Sequence, residues 1–385
     1  MSETISNPDR LQKYEEVDFT ASQPYQKVLR VYERDENNTV KAHVTSYHPN
    51  GQLRQCLDIC NGRAYGMYRE MYPTGVLKVE ANVIGGQPDI NTAAEKSWLF
   101  EGISKAWDEE GHLIAEIPYS KGVLQGTALY YHPNGKLWKK IPFNQNELMG
   151  TMEVYTEDGA LLQTIHYVVS QKDGPSLRFW GLDKLASQET YADGKLITGF
   201  YYNSNGQLIS SIDDGQGFRA LFGKDGVAEL QEFRNGILQG EIKIFNRNNR
   251  LMRLYHVQKG VKHGDEIEYY DFLIAGKPQS KLLIPWFEGK IQGTAKTWYE
   301  NSVQESQREM SNNAKNGLSM AWYKDGNLML IEEYDNNKLV RGEYFKKGEK
   351  MAVSLIAAGQ GVATIFDSEG HFTRRISYHN GSPNE

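Results

Sequence analysis

The chain has 385 residues, with 43 Lys and Arg against 49 Asp and Glu, a formal net charge of −6, and the two signs are interleaved along its length. A mixed, mildly acidic surface argues against general nucleic-acid binding and against an anionic membrane as the partner. Two cysteines are too few for a disulfide framework, and 385 residues are too many for one ordinary hydrophobic core unless the chain repeats.

Taken in chain order, residues 1–24 are a polar leader, expected to be flexible and to serve as a tether or an export signal. Met1 to Gln26 holds no apolar run of signal-peptide length, and no transmembrane segment is read further on. The expected location is cytoplasmic, with a non-classical export route left open. Residues 25–41, beginning around Tyr25 to Tyr32, read as N-terminal capping strands, and from Ala42 to Gly381 one frame recurs. Gly102, Gly126, Gly150 and Gly174 stand 24 apart, as do Gly240 and Gly264, and Gly293 and Gly317. Five residues after the glycine comes an aromatic, such as Trp107, Tyr131, Tyr155, Trp298 or Trp322. Eleven on comes a leucine, such as Leu113, Leu137 or Leu161, and seventeen on another aromatic, such as Tyr119, Phe143 or Tyr167. About fourteen units of ~24 residues follow, the mark of a repeat array. Residues 382–385 are a tail.

Within a unit, Pro133-Asn134-Gly135, echoed by Pro49-Asn50-Gly51 and Pro73-Thr74-Gly75, predicts a hairpin loop. It is a type I turn whose glycine takes the left-handed conformation. Tyr131 then faces Leu137, and the two-residue alternation puts Leu137, Ile141 and Phe143 on a core face and Lys140 and Asn144 on a wet one. Connectors such as Lys121-Gly-Val-Leu-Gln-Gly126 and Asn235-Gly-Ile-Leu-Gln-Gly240 close one unit and feed the next. Short loops between consecutive strands predict an all-β fold, an elongated and coiled antiparallel meander of β-hairpins. Two insertions break the frame, Gly85 to Ser97 and Asp271 to Pro285, and the array shortens from Gly199 to Gly217 and from Gly342 to Gly361, where a bend is expected. Insertions in repeat arrays emerge as loops on one face, often the binding face.

The aromatic, the Asn-Gly or Asp-Gly turn, the leucine, the second aromatic and the Gly-x-x-x-Gly connector resemble the variant MORN repeats (membrane occupation and recognition nexus) of the bacterial YwqK-type antitoxin-like proteins. The resemblance runs from about Ala42 to Gly381. It implies a MORN-like hairpin array and an antitoxin-like or effector-like protein that binds a protein partner. In place of the usual Asp-Gly connector ending, Gln-Gly and His-Gly are common here. Choline- and glucan-binding wall modules also repeat a glycine, paired aromatics and an Asn-Gly turn, and their aromatic cages bind cations and sugars. Their repeats are nearer 20 residues.

No sequence motif of catalysis is present: no Gly-x-Ser-x-Gly, no His-Glu-x-x-His, no phosphate-cradling loop. The chain is read as no enzyme, with no cofactor and no metal. His48, His132 and His379 are taken to recur beside the turn as surface residues. Cys56 and Cys60, four apart on one predicted strand, are about 13 Å apart by the rise per residue, too far for a disulfide. They read as reduced thiols, and a metal site there needs further ligands. The candidate partner-binding residues are Tyr131, Tyr155, Trp298 and Trp322 on the aromatic row, and Phe272 and Leu273 on the second insertion. A protein is the expected partner, a glycan the alternative and a lipid surface the third reading.

Overall fold

The structure, a computed structural model, describes residues 28–181, 184–224 and 226–384, so the leader and Tyr25 to Lys27 of the capping strands lie outside the described residues. The chain divides at Gly194 and Lys195 into two compact units, and in each the strands form an antiparallel meander. In the first unit β1 (Val28–Arg34) is followed by β2 (Val40–Tyr47), β3 (Leu53–Cys60), β4 (Arg63–Met71) and β5 (Leu77–Gly85), each of these four pairing with the strand before. The same order continues to Lys184–Ala192. In the second unit it runs from Lys195–Tyr202 to Phe372–His379, and Ser382–Pro383 of the expected tail adds two residues of strand to that last one.

The hairpin loop is the expected one. Gly135 N donates to His132 O at 2.8 Å, His132 N donates to Lys136 O at 2.8 Å, and Tyr131 faces Leu137. The connector is tighter than its two glycines suggest: its first two residues both have positive φ, as at Lys121 (51°) and Gly122 (84°) or Asn312 (49°) and Asn313 (69°). That is the type I′ hairpin turn, whose twist matches the flanking strands and which favours Asn and Gly. Val169 (46°) and Ser170 (61°) hold the same conformation against their preference, since a β-branched side chain crowds the backbone there.

Each hairpin carries a bulge that the frame does not announce. Leu137 pairs with Tyr131, but Tyr130 pairs with Lys139, so Trp138 is left over. The same slip recurs after the loop of fourteen hairpins. The alternation therefore restarts behind the bulge, and it is Lys139 that falls in step with Ile141 and Phe143. The expected clean division into a core face and a wet face is corrected accordingly, and Leu137, Lys139, Ile141 and Phe143 are all half-buried.

Hydrogen bonds between neighbouring repeats run along both loop edges. On the hairpin-loop edge the tyrosine after the fifth place of the frame reaches the carbonyl of the next repeat's aromatic: Tyr72 Oη to Trp107 O at 3.0 Å, Tyr299 Oη to Trp322 O at 2.8 Å, Tyr323 Oη to Phe345 O at 2.7 Å. Turn asparagines do likewise, Asn134 Nδ2 donating to Glu157 O at 2.8 Å and Asn301 Nδ2 to Lys324 O at 2.8 Å. On the connector edge the type I′ turn donates backward, Gly122 N to Phe100 O at 2.8 Å and Asn146 N to Leu124 O at 3.1 Å. The period of 24 is thus a stacking distance as well as a sequence rhythm.

Burial is uneven. Ala42, Val44, Leu57, Ile59, Ala64, Tyr68, Val83, Ile90, Ala94 and Trp98 are buried in the first unit, most of them in one cluster. A second cluster joins Tyr334, Leu339, Tyr344, Ile356 and Ala363 in the second unit. In the shortened segments Tyr201 and Tyr344 are fully buried, each lying across its own glycine: a Cβ on Gly199 would stand 2.5 Å from Tyr201 Oη, and one on Gly342 2.8 Å from Tyr344 Oη. The first insertion is no free loop. It folds into α1 (Thr92–Glu95), capped by Asn91 Oδ1, with Ala94 buried, and packs Ile90 and Trp98 into the cluster formed by β2 to β5, Trp98 lying 4.8 Å from the Tyr68 ring.

Candidate functional site

The aromatic row on the hairpin-loop side is built into the sheet. Tyr131 is half-buried, and its hydroxyl donates to Glu116 Oε2 at 2.8 Å while Lys105 Nζ stands 3.2 Å from Glu116 Oε1. Burial and the Glu116 hydrogen bond push the Tyr131 phenol up to about 12. The Tyr131 hydroxyl, with Lys105 in support, holds the Glu116 carboxyl below its ordinary range. Tyr155 repeats the pattern one unit on, hydrogen-bonding Glu153, which pairs with Lys140 at 3.0 Å. Trp298 and Trp322 are half-buried, and their carbonyls accept Tyr270 Oη and Tyr299 Oη, each at 2.8 Å. Tyr131 through its hydroxyl and Trp298 and Trp322 through their backbone carbonyls thus link repeat to repeat, while the Tyr155 hydroxyl bonds within its own strand. Tyr131 also lines a cleft of about 550 Å³ with His112, Glu116 and Pro133.

The second insertion is an extended hairpin, Gly264–Ile274 against Lys277–Phe287. Phe272 is half-buried and stacks on Tyr270 at 5.3 Å, while Leu273 and Ile274 at the tip are 48% and 43% exposed.

The bulge places an apolar row that the repeat frame alone does not single out. Ile114, Trp138 and Leu162 are the leftover residues of three consecutive repeats in the first unit. Ile114 is 37% exposed and Trp138 39% exposed. Lys139 Nζ sits 3.8 Å over the Trp138 ring, and the His132 ring lies 5.9 Å away, so the indole is held in place from two sides. The signal in sequence is an apolar residue directly after the eleventh-place leucine. In the second unit Ile209 and Ala228, at the same place, line a cleft of about 630 Å³ with Phe245, Asn203, Asn246 and Arg247.

The charged and metal-ligating residues sort by the repeat. Asp108 Oδ2 meets His112 Nδ1 at 3.0 Å, and Asp367 Oδ2 meets His371 Nδ1 at 3.0 Å in the corresponding loop, which marks both as turn closures. His48 Nε2 and His132 Nε2 approach the Met71 and Tyr155 carbonyls at 2.9 and 3.1 Å. The expectation that His379 shares their place is corrected: it ends a strand at the connector and contacts Gln360 Oε1 through Nδ1 at 2.9 Å. Glu266, 1% exposed, is met by Lys262 Nζ at 2.6 Å, Trp286 Nε1 at 2.7 Å and Arg253. Burial alone would push the Glu266 carboxyl up, and Lys262, Arg253 and Trp286 more than offset that, leaving a structural carboxylate below its ordinary range. Beside Cys56 stand two other groups with ligating atoms, Asp58 two residues on along the same strand and His43 across on β2.

Residues 33–61, 100–121 and 124–145 match the MORN repeat variant. No curated protein matches the chain. Among solved structures it is similar to a porin-like protein from Bacteroides uniformis, at 10% identity over 68% of this chain and 96% of that one, with a TM-score of 0.17. A second similarity is to TcdB2-TccC3 lacking its hypervariable C-terminal region, at 11% identity over 97% of this chain and 27% of that one, with a TM-score of 0.12. Superpositions that poor carry no functional weight. The three matching segments lie in one continuous run of hairpins: the chain is a repeat protein, with MORN-type repeats in those segments.

Proposed function

We propose that the chain is a non-catalytic repeat scaffold that binds another protein, antitoxin-like or effector-like in the sense the repeat resemblance implies, across the row Ile114, Trp138 and Leu162. The observation that supports this reading is an apolar residue set at one fixed place on three consecutive hairpins, in a stretch where few frame residues are buried. Two strands per repeat space these residues about 10 Å apart. Seven residues of α-helix rise about 10.5 Å. A partner helix laid across the strands meets one anchor per heptad, the groove mode of helix recognition. Trp138 is the central anchor.

The test is affinity capture with the full chain, with Trp138→Ala and with Ile114→Asp. A stoichiometric protein retained by the parent chain and lost from both variants is the expected outcome; an unaltered capture profile would sink the reading. The glycan alternative rests on the cleft that Phe245, Asn203, Asn246 and Arg247 line, which supplies an aromatic, two amides and a guanidinium. Glycan binding abolished by Phe245→Ala but not by Trp138→Ala would favour it. Sedimentation with anionic vesicles that fades with salt would favour the lipid reading.

A further inference from the structure

His43 on β2 stands opposite Asp58 on β3, and Thr45, two residues on, stands opposite Cys56. His43, Asp58 and Cys56 therefore share the outer face, while Ala42, Val44, Leu57 and Ile59, which alternate with them, are buried in the core cluster behind. Their ligand atoms, the His43 ring nitrogen, the Cys56 sulfur and an Asp58 oxygen, lie within 4.8 Å of one another. We propose that His43, Cys56 and Asp58 form a three-ligand site for Zn²⁺, open to solvent at its fourth position.

The donor chemistry selects the metal. One imidazole, one thiolate and one carboxylate make a mixed nitrogen, sulfur and oxygen set that suits a borderline cation and disfavours Ca²⁺ and Mg²⁺, which take oxygens. Two anionic ligands around one dication leave a neutral centre. The site is also prepared around its ligands. Asp58 Oδ2 accepts Met67 N at 3.0 Å, which fixes the carboxylate with Oδ1 on the side of His43, where a metal would take the place of their contact. Gly66 keeps the room for that arrangement, since a Cβ there would stand 2.7 Å from Asp58 Cβ. His43 Nδ1 is already held 2.8 Å from Asp58 Oδ1, and the ring is 60% exposed, so metal entry exchanges one hydrogen bond for two coordinate bonds and needs no opening of the sheet. Arg69, the cross-strand neighbour of Cys56, spends its guanidinium on Glu80 at 2.8 Å. Cys60 lies on the same face two residues beyond Asp58 and stands outside the three-residue group.

The experiment is a Co²⁺ titration of the full chain, with Co²⁺ as the spectroscopic stand-in for Zn²⁺. A thiolate-to-cobalt charge-transfer band that saturates at one equivalent and is bleached by Zn²⁺ is expected. Cys56→Ser abolishes the band and Cys60→Ser leaves it. His43→Gln and Asp58→Asn each weaken Co²⁺ binding by about tenfold or more. Asp58→Asn retains an oxygen for Met67 N, and far-ultraviolet circular dichroism checks that each variant is folded. No band in the folded parent chain, a band that survives Cys56→Ser, or a band that vanishes in Cys60→Ser each overturns the proposal.

Discussion

Residues 40–98 and residues 99–181 belong to the same unit and are written in the same frame, yet only the first buries a core. There Val44, Leu57, Ala64 and Val83 are fully buried. In the second stretch the buried hydrophobics among the described residues are Ala115, Ala128 and Ile165. The difference is the insertion: Ile90 and Trp98 pack into the cluster formed by β2 to β5, with Ala94 buried, and 99–181 has no such cover. A hairpin frame makes a sheet, and a sheet needs a second layer to become a core. Where the layer is missing, the same apolar places stay half in water, available to a partner.

The comparison breaks most directly at the cover. Trp98→Ala is expected to cost about 3–5 kcal/mol by urea denaturation, the range for a large buried aromatic, and to loosen β3 to β5. Gln55, buried, donates through Nε2 to Tyr68 Oη and to Glu95 Oε1, both at 3.0 Å. Gln55→Leu strands both acceptors and is expected to cost about 1–3 kcal/mol, a loss that disappears when 99–181 is probed at the equivalent position, the half-buried Lys139. In the open stretch the sign reverses at one connector: Val169→Asn with Ser170→Gly relieves two unfavourable positive-φ residues and should add about 1–2 kcal/mol.

A pH profile sharpens the contrast further. Because the folded Tyr131 phenol is raised from 10.0 to about 12, its contribution is complete below pH 10 and is lost as pH rises through about 12. Glu116 is lowered, so its contribution is complete above the ordinary carboxylate range and is lost as pH falls through its folded value. Tyr131→Phe should flatten both limbs of the stability curve. Tyr68, under the cover, is raised further by burial, and Tyr68→Phe should flatten the alkaline limb more. The smallest effect is expected at Trp138: Trp138→Ala changes stability by about 0.5 kcal/mol or less while removing the central anchor of the proposed partner row.

The period of 24, the all-β class, the hairpin loop and the Tyr131 to Leu137 pairing are readable from the chain because each is a local matter of turn chemistry and alternation. What was not readable depends on register. The bulge at Trp138 has no residue signature of its own, since the slip is paid in backbone geometry that Ile, Trp, Leu, Ala and Thr all accept. Gly85 to Ser97 looks like a displayed loop until Trp98 is seen against Tyr68, 30 residues earlier. His43 and Asp58 are 15 residues apart and meet only through the pairing of β2 with β3. The aromatic row was legible as a row, but its role as an inter-repeat hydrogen-bond partner follows from the carbonyls of Trp298 and Trp322, which a reading of side chains passes over.

The ladders on the two loop edges have a consequence for how the chain is made. Asn134 reaches Glu157, and Gly122 reaches back to Phe100, each span close to one repeat. At the pace of translation about 24 residues emerge in roughly 1–5 s, whereas a hairpin closes in about 1–10 μs. Every hairpin can dock on the one before it while the next is still being synthesised. The growing end, with its unpaired strand edge, is then the same small structure at every stage of elongation, a single exposed template whose danger of capturing another chain does not grow with length.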